Sequence, residues 1–551
     1  MKKYLFIALA AMGFAACAEK DEMGNKPINN GEVEKSYVAI TLASNEATRA
    51  EDELDKVFGD GTDEESAVGS AYVFFFRDGV AFPVSYSDSD KTTTEGGTCN
   101  YLSLNNLNMK PEADDTNSVS DYSDEILVIE NYRGEYPNQI VAVLNWVPTA
   151  PSYSIADLQT QLLNIQNSDE KFVMCNSVFA DEATPKQTII AAPITEANIG
   201  TKEDADNKRL VPVQIYVERL AAKVVFQHDG VYATGETVVD RTNGANEEIA
   251  VSAKVLGYEL FDAYYDSWLV KKIDPEWSNT VLGFIWNDSP NYRSYWADSE
   301  TGRTVFEFPA TNSFEWNTNP GEQYCGENTR GVVGGVNDRT KVVVKAQLVN
   351  AADGVTPVEV VNWLGQTYVN EDYLKIVVAN TLNEKYFSST DEKTYVGLMP
   401  EDLRCVERNS NAEKAYYVDF QLSTNANNFG IYKTWYMKSA DGTYTKIASI
   451  DAMNAELLEV HPALVYNDGM TYYYTDIRHL ANNTDKVGAY GVVRNHVYVV
   501  NIDGITSFGT PIYNPTQDFV EVETPEEIYT YVSAKINILS WRMVERDYVL
   551  E

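Results

Sequence analysis

Ala71-Tyr72-Val73-Phe74-Phe75-Phe76, stopped by Arg77-Asp78-Gly79, is the stretch on which the fold reading turns. The run is too short for an ordinary helix, and aromatic and β-branched side chains pack well on a pleated sheet. The Asp-Gly pair that follows is a turn signal of the hairpin kind. A strand apolar on both faces needs cover on both sides, so the sheet that holds it lies inside a layered domain.

The same punctuation recurs outward from this stretch. Gln139-Ile140-Val141-Ala142-Val143-Leu144-Asn145 is closed by Pro148, and Val213-Gln214-Ile215-Tyr216-Val217 is followed closely by Lys223-Val224-Val225-Phe226. Farther on come Lys341 to Ala346, Tyr472-Tyr473-Tyr474, and Val497 to Ile502. Helical signals are sparse. The clearest predicts a helix from Ser154, the N-cap, through Leu163, with Leu158 and Leu162 one turn apart. Many short strands between Asn/Asp/Gly/Pro turns predict an all-β chain of β-sandwiches with a few short helices. A boundary near Leu220 divides it into an N-terminal domain over 50–220 and a C-terminal domain over 221–551, the two of unequal size.

With 551 residues, 44% hydrophobic and 23% charged, the chain is long enough for two or three cores and has an ordinary globular balance. Aromatics make up 12%, including 36 tyrosines, which again suits sheet surfaces. The net charge of −39 repels phosphate backbones and argues against a nucleic-acid partner. It suits the solvated surface of an exported protein. Calcium is the sharper reading of that acidity, but the spacing of an EF-hand loop is missing, and no metal or other cofactor is expected. The cysteines are Cys17, Cys99, Cys175, Cys325 and Cys405, without a CxxC or zinc-like spacing. Cys99, Cys175, Cys325 and Cys405 suit either disulfides or buried thiols.

Met1-Lys2-Lys3, the apolar run Tyr4 to Ala11, and Phe14-Ala15-Ala16-Cys17 form a secretory signal over residues 1–17, too short to span a bilayer. Small residues directly before a cysteine resemble a bacterial lipobox with Cys17 as the lipidated residue, although Phe14 stands where Leu is usual. Residues 18–49 then read as a propeptide. A polar tether reaches Glu34, the alternating strand Tyr37-Val38-Ala39-Ile40-Thr41-Leu42 follows, and Thr48-Arg49-Ala50 offers an Arg in a polar segment suited to proteolysis.

Four stretches resemble the fimbrillin (type V pilin) family, especially the major subunits of short fimbriae. They are the lipobox with its strand and Thr48-Arg49-Ala50; Val213 to Val225, similar to the family's crossing between domains; Gly469 to Pro511; and the tail ending Tyr548-Val549-Leu550-Glu551. In the third, Tyr472-Tyr473-Tyr474, Ile477-Arg478-His479-Leu480, Gly491 to Tyr498 and Gly509-Thr510-Pro511 carry the likeness, and the segment is expected to form paired strands around a turn. The resemblance implies two transthyretin-like, Greek-key sandwiches in a structural subunit of cell-surface fimbriae that supports adhesion. It implies a precursor carrying a fatty acyl chain (palmitate) at the outer membrane and an Arg-specific protease that cuts between Arg49 and Ala50. The strand containing Tyr37, Val38, Ile40 and Leu42 then departs, and the tail of an identical subunit fills the vacancy. Anchor, minor and tip subunits are the further partners implied, with the surface receptor unknown.

The tail, about 528–551, suits donation on its own terms. Ala534, Ile536 and Ile538 share one face, Leu539, Trp541 and Met543 the other, and Val544, Tyr548 and Leu550 return to the first parity. Extended, it would reach roughly 75 Å, more than one strand needs, which predicts two segments with a phase change near Ser540. An intramolecular closing strand is the alternative. A monomeric surface lipoprotein (anchor, tip adhesin or glycan-binding protein) is the alternative for the whole chain.

An enzyme is not expected. The histidines are His228, His461, His479 and His496, with no HExxH and no GxSxG elbow. Gly331-Val332-Val333-Gly334-Gly335 lacks nucleotide-loop spacing. Arg478, His479, Arg494 and His496 read better as a hydrogen-bonded sheet corner than as a catalytic group, and an Asp/Glu pair of glycosidase type is not decided by sequence. Cys17→Ala is expected to abolish labelling by a fatty-acid probe and to hold the precursor short of the outer membrane; undiminished labelling overturns the lipid site.

Overall fold

The computed structural model describes residues 34–44, 62, 64–84, 99–104, 110–111, 121–131, 136–180, 188–200, 204, 207, 209–240, 247–272, 318, 321–329, 339–408, 417–423, 434–479, 490–513, 532–539 and 543–544. Cys17, Arg49, Ala50, Trp541, Tyr548 and Leu550 lie outside them. The architecture is all-β with few helices, as the strand and turn pattern predicts.

The first half runs through β1 (Glu34–Ser44), β2 (Ala71–Arg77), β3 (Asp121–Asn131), β4 (Gln139–Leu144), α1 (Ile155–Gln159), β5 (Met174–Asn176) and β6 (Val213–Arg219). These strands lie side by side in one sheet in the order β2, β4, β5, β6, β1, β3. Phe74, Phe75 and Phe76 are all fully buried, which is why the run is apolar at successive positions instead of alternate ones. Asp78 and Gly79 both take positive φ, 52° and 80°, so the chain reverses tightly after β2. Ser154 and Asp157 form a reciprocal capping box at the start of α1. The helix ends at Gln159, four residues short of the expected Leu163, because residues 162–164 pair as a strand with 266–268. A long-range ladder wins there over a marginal helical repeat.

Only Leu220, fully buried, separates β6 from β7 (Ala221–His228), which opens a different sheet. The second half continues through β8 (Val231–Asp240), β9 (Glu247–Phe261), β10 (Gly321–Gly326) and β11 (Lys341–Asn350). After these come α2 (Glu371–Leu382), α3 (Ile450–Leu458), β12 (Met470–Asp476), β13 (Val497–Ile505) and β14 (Val532–Leu539). One sheet orders β10, β7, β13, β14, and a larger one carries β8, β9, β11 and β12 side by side. Apolar side chains of β7 and β13 meet those of β9 and β11 between the two layers; Phe226 stacks on Tyr258 with ring centroids 4.3 Å apart. A separate cluster gathers under α2 and α3, with Leu374, Val378, Met453 and Leu457 buried against Phe420 and Trp435.

The segment Gly469–Pro511 is divided differently from expectation. β12 pairs with β11, and β13 pairs in parallel with β7, so the two strands of the motif belong to opposite layers instead of to each other. Its closing turn is pinned by side chains of the first strand and its neighbour. Tyr473 donates to the Ser507 carbonyl (2.9 Å), Tyr466 to that of Gly509 (2.9 Å), and Thr471 Oγ1 to that of Phe508 (2.7 Å). Gly509 has φ +73°, and a Cβ there would stand 2.8 Å from the Tyr472 carbonyl oxygen. Gly509→Ala is therefore expected to cost about 2–3 kcal/mol from strain and crowding, read by denaturant unfolding; an unchanged midpoint would contradict this packing.

Candidate functional site: a strand slot and a polar domain junction

β1 is an interior strand. On one side it runs antiparallel to β3, from Glu34 opposite Asn131 to Ala43 opposite Tyr122. On the other it runs parallel to β6, from Ile40 opposite Val213 to Ser44 opposite Val217, with Tyr37 and Val38 paired to Gly200 and Ile199. The positions singled out in sequence, Tyr37, Val38, Ile40 and Leu42, are thus hydrogen-bonded into the sheet from both sides. β6 contributes Val213, Ile215 and Val217 to the core beneath, each no more than 3% exposed. A chain without β1 would leave both walls of this slot, β6 and β3, with open edges.

The tail occupies a comparable place in the second half. β14 runs antiparallel to β13, pairing Leu539 with Val497, Ile538 with Tyr498 and Ile536 with Val500. Met543 and Val544 then turn back onto Leu539 and Ile538. The tail is therefore two short segments reversing around Ser540, and in this chain it lies against its own subunit.

Between these strand sites sits a polar junction. Arg219, the last residue of β6, donates to the Glu65 carbonyl (2.7 Å), to Ser66 Oγ (3.0 Å) and to Asn495 Oδ1 (3.4 Å). Asn495, at φ 57°, donates its backbone N–H to the Ala221 carbonyl (2.6 Å). The Glu65 carboxylate accepts from Lys223 Nζ (2.9 Å) and Tyr324 Oη (2.5 Å), tying the segment before β2 to β7 and β10. Glu322 is a second partner of Lys223. Burial pushes the Glu65 carboxyl up, but the bonds from Tyr324, Lys223 and the Thr62 backbone outweigh it, and its pKa falls below the ordinary value. Burial together with Glu65 raises Tyr324 well above the ordinary phenol.

Arg494, fully buried, donates to Glu327 (3.1 Å) and to the carbonyls of Leu269 (3.2 Å) and Trp268 (2.5 Å). His479 shares a 2.9 Å hydrogen bond with Tyr498 Oη, which accepts from the Val493 N–H, and His496 Nδ1 lies 2.8 Å from the Arg494 carbonyl. Arg478 bridges to Tyr490 at the same corner. The contacts of the buried members are those of a cross-linked sheet corner. Cys99, Cys175, Cys325 and Cys405 are free and buried. Among the described residues no His/Cys/Asp/Glu group is placed to hold a metal, and no helix is long and apolar enough to cross a membrane.

Residues 464–547, spanning β12, β13 and β14, match the family described as Major fimbrial subunit protein type IV, Fimbrillin, C-terminal. By this region the chain belongs to the fimbrillin family. No curated protein matches the sequence. Solved structures with detectable likeness include a fimbrilin of Porphyromonas gingivalis (12% identity, 93% of this chain and 98% of that one, TM-score 0.36). Others are a fimbrial assembly protein of Parabacteroides distasonis (12%, 74% and 98%, 0.28) and a C-terminally truncated tip fimbrial protein of P. gingivalis (10%, 91% and 99%, 0.29). Overlaps this loose leave the family assignment resting on the C-terminal region.

Glu65 had no signal in sequence, being one acid in the run Asp63-Glu64-Glu65; the junction partners Lys223 and Arg494 stood in motifs already noted. Because the folded pKa of Glu65 is depressed, its contribution is present above the unfolded value and is lost as pH falls through the folded one. Glu65→Gln is expected to cost about 2 kcal/mol at neutral pH and to flatten that acid limb, read by unfolding at a series of pH values; an equal loss at every pH would refute the ionic role.

Proposed function

We propose that this fimbrillin-family protein is a structural, non-catalytic subunit of cell-surface fimbriae, the major subunit of a stalk, assembled by protease-triggered strand exchange. The observation that carries the reading is the place of β1, an interior strand that ends just upstream of Arg49. Cutting between Arg49 and Ala50 would disconnect it, and its departure would open a slot with hydrogen-bonding walls on both sides. The tail, β14 with its return segment, is the donor. It exchanges a place at the margin of its own sheet for one flanked by β6 and β3 of a neighbour, satisfying edges that are otherwise sticky. In this reading Cys17 carries lipid, the precursor travels by way of the outer membrane, and the lipid leaves with residues up to 49. Identical subunits are the main partners, with anchor and tip subunits at the ends.

The pairing of β14 with β13 in the same chain favours a second reading, a surface protein whose tail stays at home, as in an anchor or tip subunit. One experiment separates the two. The purified precursor is treated with an Arg-specific protease and examined by electron microscopy and N-terminal sequencing. Fibres whose subunits begin at Ala50 are expected, none from Arg49→Ala, and shorter ones when protein lacking Ile528–Glu551 is mixed in, because that variant accepts a strand and donates none. Normal fibres from Arg49→Ala would sink cleavage as the trigger. Undiminished fibre length in the mixture would sink the tail as donor.

A further inference from the structure

Beyond the strand sites, the first core contains a pair of ionisable groups that assembly does not use. Glu218 on β6 and Lys271, three residues past the strand 266–268, are both 1% exposed. Lys271 Nζ stands 3.9 Å from Glu218 Oε1, too far for a hydrogen bond. Glu218 Oε1 accepts no hydrogen bond, while Oε2 accepts one from Ser177 Oγ at 3.2 Å. The surroundings are apolar: Leu269 and Val270 are fully buried in the first core, and Cys175 is the backbone partner of Glu218. Burial pushes the Glu218 carboxyl up despite Lys271 and Arg494 nearby.

A buried carboxylate oxygen facing a buried amine without a hydrogen bond is a costly arrangement, since each desolvated charge loses several kcal/mol of hydration and needs close pairing in return. Condensation removes both charges. We propose that Glu218 and Lys271 are joined by an intramolecular amide, a covalent staple between β6 and the segment that returns from the second half of the chain. Lys271 Nζ attacks Glu218 Cδ, the Nζ–Cδ bond forms and the Cδ–Oε1 bond breaks. Two protons of the ammonium leave with Oε1 as one water molecule, and Oε2, already held by Ser177, remains as the amide carbonyl. Carboxylate and ammonium charges cancel, and no oxidant or activating group is consumed. Fixed proximity replaces the encounter that makes the reaction slow in solution, and a dry site withholds the water that would reverse it.

The staple is independent of strand exchange and has its own readout. The purified full chain is digested with trypsin and the peptides are fragmented in a mass spectrometer. The expected product is a branched peptide joining Glu218 to Lys271, lighter by one water than its two linear parts, with trypsin failing to cut after Lys271. In Lys271→Arg, which keeps the charge and lacks the amine, the branched peptide should vanish and the thermal midpoint should fall. Recovery of the unmodified protein as linear peptides containing intact Glu218 and Lys271 overturns the proposal and leaves an ordinary buried ion pair. That measurement on the unmodified chain decides the matter even where the variant does not fold.

Discussion

Every backbone N–H and C=O in the interior of a sheet needs a partner, and β1 is where that constraint bears hardest on this molecule. The strand completes two ladders at once, one to β3 and one to β6. It lies far in sequence from both, beyond a segment with which it shares only Arg49 and its flanks as a link. A strand added to the margin of a sheet could leave at the cost of one ladder. One set in the interior takes two with it, and it uncovers the apolar face that Val213, Ile215 and Val217 turn to the core. The architecture therefore stores a strong demand for a replacement strand in the very place the precursor can give one up. The polymerisation reading follows from that demand.

The junction must hold while strands are exchanged on either side of it. β6 passes into β7 through Leu220 alone, and a single residue between two sheets would act as a hinge without side supports. Arg219, Glu65, Lys223 and Asn495 supply those supports around the corner, and Arg494 with Glu327 supplies another from beneath. Burying a full guanidinium is expensive, and replacing such a pair by apolar residues is often no less stable. What the pair offers is directionality. Arg494 reaches the carbonyls of both Trp268 and Leu269, so it fixes the path of the returning segment, which an apolar side chain could not do. Glu65 belongs to the part of the chain that remains after cleavage, so its supports would not depend on the strand that leaves.

Much of the fold was legible because the decisive strands announce themselves locally. Ala71–Phe76 and Gln139–Leu144 are apolar at successive positions because both faces are covered, and Asp78-Gly79 takes the left-handed turn that the pair specifies. The alternation of Tyr37 to Leu42 also marks a strand that the structure contains. Three features resisted. The split of Gly469–Pro511 between two layers depends on partners, β11 and β7, more than a hundred residues upstream. α2 is carried by the burial of Tyr373, Leu374, Val378 and Ala379 against sequence-distant strands, with Asn370 as its cap. Glu65 and Glu218 are drawn from a chain of abundant acids, and only the fold distinguishes those few whose carboxylates are buried from the many that face water.

The walls of the slot impose a last condition on what can enter. β1 is parallel to β6 and antiparallel to β3, so the two walls run in opposite directions. Any inserted strand, whichever way it points, must be parallel to one wall and antiparallel to the other, and either arrangement satisfies the ladders. Polarity is therefore a poor discriminator, and selection falls to the alternation of side chains across the two faces. In β1 the bulky apolar residues Val38, Ile40 and Leu42 occupy alternate positions, separated by Ala39 and Thr41. β14 offers Ala534, Ile536 and Ile538 in the same alternation, separated by Lys535 and Asn537. A slip by one residue would present Lys535 and Asn537 to the apolar face, which a core cannot accept without partners. The register of a donated strand is thus set by the pattern that β1 itself obeys.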